Sequence, residues 1–142
     1  MRYRLRTLLI VLAVGPMVFA TACSLVTVIS PKETTLTAMS ETRVRMHLYM
    51  LAQRDYPADL QALPVREGYA NQVTDGWGRE LIYAVDNAGV LSLTSLGRDG
   101  KAGGKGDDAD IIKRYRTRNE DGSLNIDDEF WIAESEIRDG VR

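Results

Sequence analysis

Four aspartates and five glycines share one stretch, Ser95 to Ile111, which reads Ser-Leu-Gly-Arg-Asp-Gly-Lys-Ala-Gly-Gly-Lys-Gly-Asp-Asp-Ala-Asp-Ile. Asp99, Asp107, Asp108 and Asp110 carry hard oxygen donors of the kind that suits a calcium ion. Five interspersed glycines let the backbone turn through positive φ and approach closely. Apolar residues flank the stretch on both sides, so a folded frame pins its ends. A flexible linker needs neither such a frame nor the clustered acids. The chain offers little else for chemistry. Cys23 is its only cysteine and His47 its only histidine, which excludes an internal disulfide and a His/Cys zinc cluster. Neither residue has a triad set around it. Clustered carboxylates permit metal-dependent hydrolysis, yet a catalytic site also wants a nucleophile or base in a pocket, and none stands near the loop. The chain therefore reads as a non-enzyme without catalytic residues.

The elements that must hold this loop are legible around it. A helix is expected from about Glu33 to Arg54, with Leu36, Met39, Val44, Leu48 and Leu51 forming one apolar face. His47, Met46 and Met50 lie in the same helix and read as packing and surface. Leu60 and Leu63 are spaced to pack a short helical turn against it, with Tyr69 in the same seam. Asp75-Gly76-Trp77-Gly78 is a tight turn whose tryptophan reads as a buried packing anchor. Two strands follow, Leu81 to Val85 and Val90 to Leu96, joined by the hairpin signal Asp86-Asn87-Ala88-Gly89. The second strand alternates Val90, Ser92 and Thr94 with Leu91, Leu93 and Ser95, and runs straight into the aspartate loop. Ile111 to Arg118 reads as a third strand with a basic, solvated face. A last short element around Phe130-Trp131-Ile132 and Ile137 is expected to dock on the sheet.

The start of the chain has a different character. Thr7 to Ile29 contains no charged side chain, a run longer than the roughly 20 residues a membrane helix needs. Arg2, Arg4 and Arg6 precede it and predict a cytoplasmic N-terminus with an exported body. Gly15-Pro16 is expected to kink the helix. Three fates fit these residues: a retained membrane anchor, a signal peptide cleaved after Ala20-Thr21-Ala22, or lipidation of Cys23, which follows that small triplet as in a lipobox. The two parts of the chain are thus residues 1–30, an anchor or signal segment, and residues 31–142, one soluble domain. Removing the three leading arginines from 18 basic residues leaves 15 against 20 acidic, a net charge of −5 for the rest. An acidic body argues against nucleic-acid binding.

Three motifs in this order and spacing carry a family resemblance. They are Tyr56-Pro57 followed by Leu60 and Leu63-Pro64, the turn Asp75-Gly76-Trp77-Gly78, and Ser95-Leu96-Gly97-x-Asp99-Gly100 followed by Gly103-Gly104 and Asp108-Ala109-Asp110-Ile111. Over roughly Glu33 to Ile111 the chain resembles the major pseudopilin of the type II secretion system. The resemblance implies a pilin-like α+β fold, with an N-terminal membrane helix and a long amphipathic helix packed on a small antiparallel sheet. It also implies calcium in the loop, held by the carboxylates of Asp99, Asp108 and Asp110, with Asp107 as a substitute, and by the backbone carbonyls of Leu96 and Lys101. Partners would be the membrane, other pseudopilins or secretion-system components, and further copies of the chain. The location would be the inner membrane with the C-terminal domain in the periplasm, or a lipid anchor through Cys23. Three features differ from the family pattern. Glycine stands at position 76 where the family has proline. No glutamate occurs before Glu33 in the apolar segment, where the family's processing site has one. The tail after Ile111 is also longer. The sequence thus reads as a pseudopilin-like periplasmic domain on a different anchor, or as a lipoprotein or binding module that reuses the fold.

Overall fold

Ser30 and Glu33 set the start of the long helix. In the computed structural model, which describes residues 29–125 and 133–138, the Ser30 hydroxyl accepts the Glu33 N–H at 3.2 Å. The Glu33 carboxylate in turn accepts the Ser30 N–H at 3.0 Å. This reciprocal cap satisfies two donors that a helix start leaves open. Helix α1, Pro31–Gln53, follows directly. It begins two residues before the expected Glu33, because proline at the first helical position gives up an N–H that has no partner there anyway. Arg54 ends the helix in a left-handed conformation, with its N–H on the Met50 carbonyl at 2.9 Å. Among the described residues no helix is long and apolar enough to cross a membrane. The expected anchor, Gly15-Pro16 and Cys23 lie outside the described residues.

The buried face of α1 differs from the expected one. Thr35, Ala38, Met39, Thr42, Arg45, Met46 and Met50 point inward, while Leu48 is exposed and Leu36, Val44 and Leu51 are half-buried. Polar side chains take inward positions because each finds a carbonyl. Thr35 donates to Pro31 within the helix at 2.8 Å, and Thr42 reaches the Gln72 carbonyl at 3.3 Å. Arg45 donates to the carbonyls of Pro64, Asn71 and Leu63 at 2.9, 3.0 and 3.1 Å. Burial lowers the pKa of its guanidinium, and neighbouring Glu41 opposes the shift. A buried arginine so fully bonded ties the helix to the segment that follows it.

That segment turns without forming a regular helix. Leu60 and Leu63 are buried as expected. Tyr69 is not part of the seam: it is exposed, and the Arg66 guanidinium lies over its ring at 3.7 Å from the centroid.

Strands β1, Ile82–Val85, β2, Val90–Ser95, β3, Asp110–Arg116, and β4, Ala133–Arg138, form one antiparallel sheet in the order β1-β2-β3-β4. The hairpin between β1 and β2 is closed by Asp86, whose Oδ1 accepts the N–H groups of Ala88 and Val90, both at 2.9 Å. Leu91 and Leu93 point inward with no exposed surface, as strand alternation requires. They meet Met39, Met46 and Met50 of α1 and Ile111 and Tyr115 of β3 in a single core. The expected third strand is therefore present. The last element is a fourth strand, paired with β3 through registers such as Ile111 with Ile137. Phe130 and Trp131 lie outside the described residues. Among the described residues the fold is α+β, one α-helix on a small antiparallel sheet, and the β2–β3 connection is the aspartate loop.

Candidate functional site

Asp75 fixes the turn on which the loop rests. It is buried, and its Oδ1 accepts the N–H groups of Trp77 at 3.0 Å and Arg79 at 2.9 Å. Its Oδ2 accepts the Ser95 hydroxyl at 2.7 Å. Ser95 is the last residue of β2, and its oxygen also accepts the Gly97 N–H at 3.3 Å. One carboxylate thus joins the Asp75–Gly78 turn to the point where the loop leaves the sheet. Arg79 adds a second tie: its guanidinium donates to the Gly97 carbonyl and stands 3.8 Å from Asp75 Oδ2. Trp77 is half-buried at the flank of the core rather than buried within it. Gly78 turns through a φ of 84°.

Gly76 explains its own departure from proline. Its N–H donates to the Thr35 hydroxyl at 2.9 Å, a bond proline cannot make. A Cβ at this position would collide with the Pro31 carbonyl. The turn therefore lies directly against the first turn of α1.

Within the loop the four aspartates have different surroundings. Asp99 Oδ1 accepts the Lys101 N–H at 3.0 Å, closing a small turn. Asp108 is gripped by Arg98, whose Nε lies 2.8 Å from Oδ1 and whose Nη2 lies 3.1 Å from Oδ2. This parallel two-bond geometry is the strong form of an arginine–carboxylate pair. The pairing raises the Arg98 pKa, with the Asp108 hydrogen bond as its main cause. Asp107 lies 3.9 Å from the same guanidinium and is largely exposed. Asp110 is buried at the start of β3, and its Oδ2 accepts the Gly103 N–H at 3.0 Å. Its Oδ1 is buried without a hydrogen-bond partner among the described residues.

The backbone brings these groups close. The Arg98 N–H donates to the Asp107 carbonyl at 2.8 Å, crossing the loop. Gly104, at a φ of 89°, passes so near the Asp108 carbonyl that an added Cβ would collide with it. Leu96 is half-buried and Lys101 exposed. Among the described residues, no three His, Cys, Asp or Glu side chains are gathered in a way that could hold a metal ion. A buried carboxylate oxygen without a donor is costly, and Asp110 Oδ1 is such an oxygen.

Sequence reasoning singled out the aspartates but missed Arg98, Arg79 and the carboxylate role of Asp75. The available signal for Arg98 was an arginine next to Asp99 in a loop rich in aspartate and glycine.

The family model described as type II secretion system (T2SS), protein G matches residues 29–114. The match begins just before the Ser30 cap, includes α1, the Asp75 turn and the aspartate loop, and ends inside β3. No curated protein matches the chain.

Proposed function

This chain belongs to the type II secretion system protein G family, and on that premise we propose that it is a calcium-stabilised, membrane-anchored structural protein related to type II protein secretion. The supporting observation is that one match runs unbroken through the helix, the turn and the loop, three parts tied together by Thr35, Asp75 and Ser95. In this reading the chain performs no catalysis. It presents a stiff helix-and-sheet body to other secretion-system components and to copies of itself.

The carboxylates of Asp99, Asp108 and Asp110 and the carbonyls of Leu96 and Lys101 would hold the ion, with Asp107 as a substitute ligand. A bound calcium would supply two positive charges to offset the repulsion among these carboxylates. Asp110 would contribute Oδ1, which is buried without a hydrogen-bond partner among the described residues. The leading arginines and the uncharged run after them favour an inner-membrane anchor with the domain in the periplasm. A periplasmic lipoprotein reusing the same fold is the second reading, favoured by Cys23 after Ala20-Thr21-Ala22.

Deleting the gene in its own organism and assaying type II substrates in the medium tests the secretion role. Loss of secretion, restored by complementation, is expected; undiminished secretion refutes the role. Mass spectrometry of the mature N-terminus separates the two anchors, because only the lipoprotein carries an acyl group on Cys23. For calcium, the test is thermal unfolding in chelator and in millimolar calcium. A ligand at 100 times its Kd stabilises by about 2.7 kcal/mol, so the melting temperature should rise. Equal melting temperatures refute the calcium reading.

A further inference from the structure

We propose that the outer edge of β1 is a docking site for an extended, basic segment of a partner protein, which joins the sheet there as a further strand. The proposal stands on the fold and needs neither the calcium reading nor the secretion role. β1 ends the sheet, with β2 on one side only. Its register decides which backbone groups face out. The Asp86 N–H donates to the Val90 carbonyl at 3.0 Å, so Ala84 with Ser92 and Ile82 with Thr94 are the hydrogen-bonded pairs of the ladder. The N–H and carbonyl groups of Tyr83 and Val85 therefore point away from β2. Leu81 follows the same alternation: its N–H turns outward and donates to the Val73 carbonyl at 2.9 Å. Among the described residues, no strand continues that line past Tyr83.

A groove of about 190 Å³ lies beside this edge, between residues 58–61 and β1. Leu60 and Leu81 are buried side chains that line it. The Tyr83 hydroxyl donates to the Pro57 carbonyl at 3.1 Å and ties the edge to the opposite wall. A strand laid along β1 sends alternate side chains toward the groove and toward the face of exposed Ile82. The charge around it has one sign. Asp59 and Glu80 are exposed and line the groove, and among the described residues no base does. Their bonds to the Ala62 N–H and the Gln61 amide, at 2.8 and 3.3 Å, leave both charges uncompensated. Burial, then Tyr56 and the Asp55 carboxylate, push the Tyr83 phenol up to about 12, which places a third acid near the edge. Such an edge selects a strand that carries Lys or Arg. It disfavours β1 of a second copy, which brings the same acids.

The probe is the labelled peptide acetyl-Val-Lys-Val-Arg-Val-Lys-Val-amide, titrated by fluorescence anisotropy against the full chain in detergent micelles. Its controls are the same peptide N-methylated at alternate residues and a counterpart with Glu for every base. Hydrogen exchange follows the Tyr83 and Val85 amides. The basic peptide should bind and protect both amides, and both controls should bind about tenfold more weakly. Val85→Pro removes one outward N–H and leaves the β2 ladder intact, so it should also weaken binding about tenfold. Asp59→Lys with Glu80→Lys should weaken it about fivefold and favour the Glu peptide. Urea unfolding checks that both variants are folded. No binding by the wild type, or equal binding of either control peptide, overturns the proposal. A peptide-free wild-type dimer in sedimentation, dissociated by Val85→Pro, assigns the edge to a second copy and overturns the basic-strand occupant.

Discussion

Asp75→Ala is the sharpest test of how the loop is supported. The substitution removes the acceptor of three hydrogen bonds, from Trp77 N–H, Arg79 N–H and the Ser95 hydroxyl. Bonds to a charged acceptor contribute about 1.5–3 kcal/mol each, so a simple sum would reach about 4.5–9 kcal/mol. The three share one carboxylate and are not additive, and the two N–H groups regain water as the half-exposed turn relaxes. A loss of about 3–5 kcal/mol is therefore expected. Asp75→Asn should cost less, about 1–2 kcal/mol, because its amide oxygen still accepts the two N–H groups and the Ser95 hydroxyl can turn to accept from its NH2. Asp86→Ala is the internal reference: its carboxylate also accepts two N–H groups, but in an exposed hairpin, where about 1 kcal/mol is expected. Equilibrium urea unfolding followed by circular dichroism measures all three. If Asp75→Ala costs no more than Asp86→Ala, burial does not make this carboxylate special and the support argument fails.

Three further outcomes follow from the same structure. Gly104→Ala should destabilise by about 2–5 kcal/mol, combining left-handed strain with a clash on the Asp108 carbonyl, whereas Gly106→Ala, with open space around it, should cost about 1–2 kcal/mol; comparable losses in urea unfolding would refute the close approach. Arg45→Lys should cost about 2–4 kcal/mol, since a single ammonium cannot serve the three carbonyls that the guanidinium fork reaches; near-wild-type stability would show that those bonds are dispensable. Burial pushes the hydroxyls of Tyr83 and Tyr115 up to about 12, above the ordinary tyrosine value near 10. The folded state therefore holds protons that the unfolded state releases, so stability is unaffected below about pH 10 and falls between about pH 10 and 12. Absorbance titration at 295 nm should show two late phenols that titrate normally in urea.

Local signals made much of this fold legible. Strand alternation gave the inward set Leu91, Leu93 and Ser95, and Asp86 to Gly89 marked the hairpin, because both features depend on neighbouring residues alone. The inward face of α1 was misread for the opposite reason. Thr35, Thr42 and Arg45 are buried only because carbonyls from their own turn or from distant segments meet them, and apolar periodicity does not register such partners. Tyr69 reads from the sequence as part of the Leu60–Leu63 seam and Trp77 as a buried anchor; Arg66 instead covers the exposed Tyr69 ring, while Asp75 holds the backbone of half-buried Trp77. In the loop, residue types revealed the acidic cluster. Its internal pairing was hidden, because the contact between Arg98 and Asp108 arises from the loop doubling back on itself.

The contact between Gly76 and the start of α1 has a mechanical consequence. Tension drawn along the chain from residues before Ser30 enters the domain at the Ser30–Glu33 cap. The Thr35 hydroxyl passes it to Gly76, and Asp75 carries it on to Ser95 at the end of a central strand. A body hung from α1 is thus pulled near its middle, and neither edge strand of the sheet takes the first strain. Peeling an edge breaks its bonds one after another, whereas this route spreads the force over helix, turn and loop together.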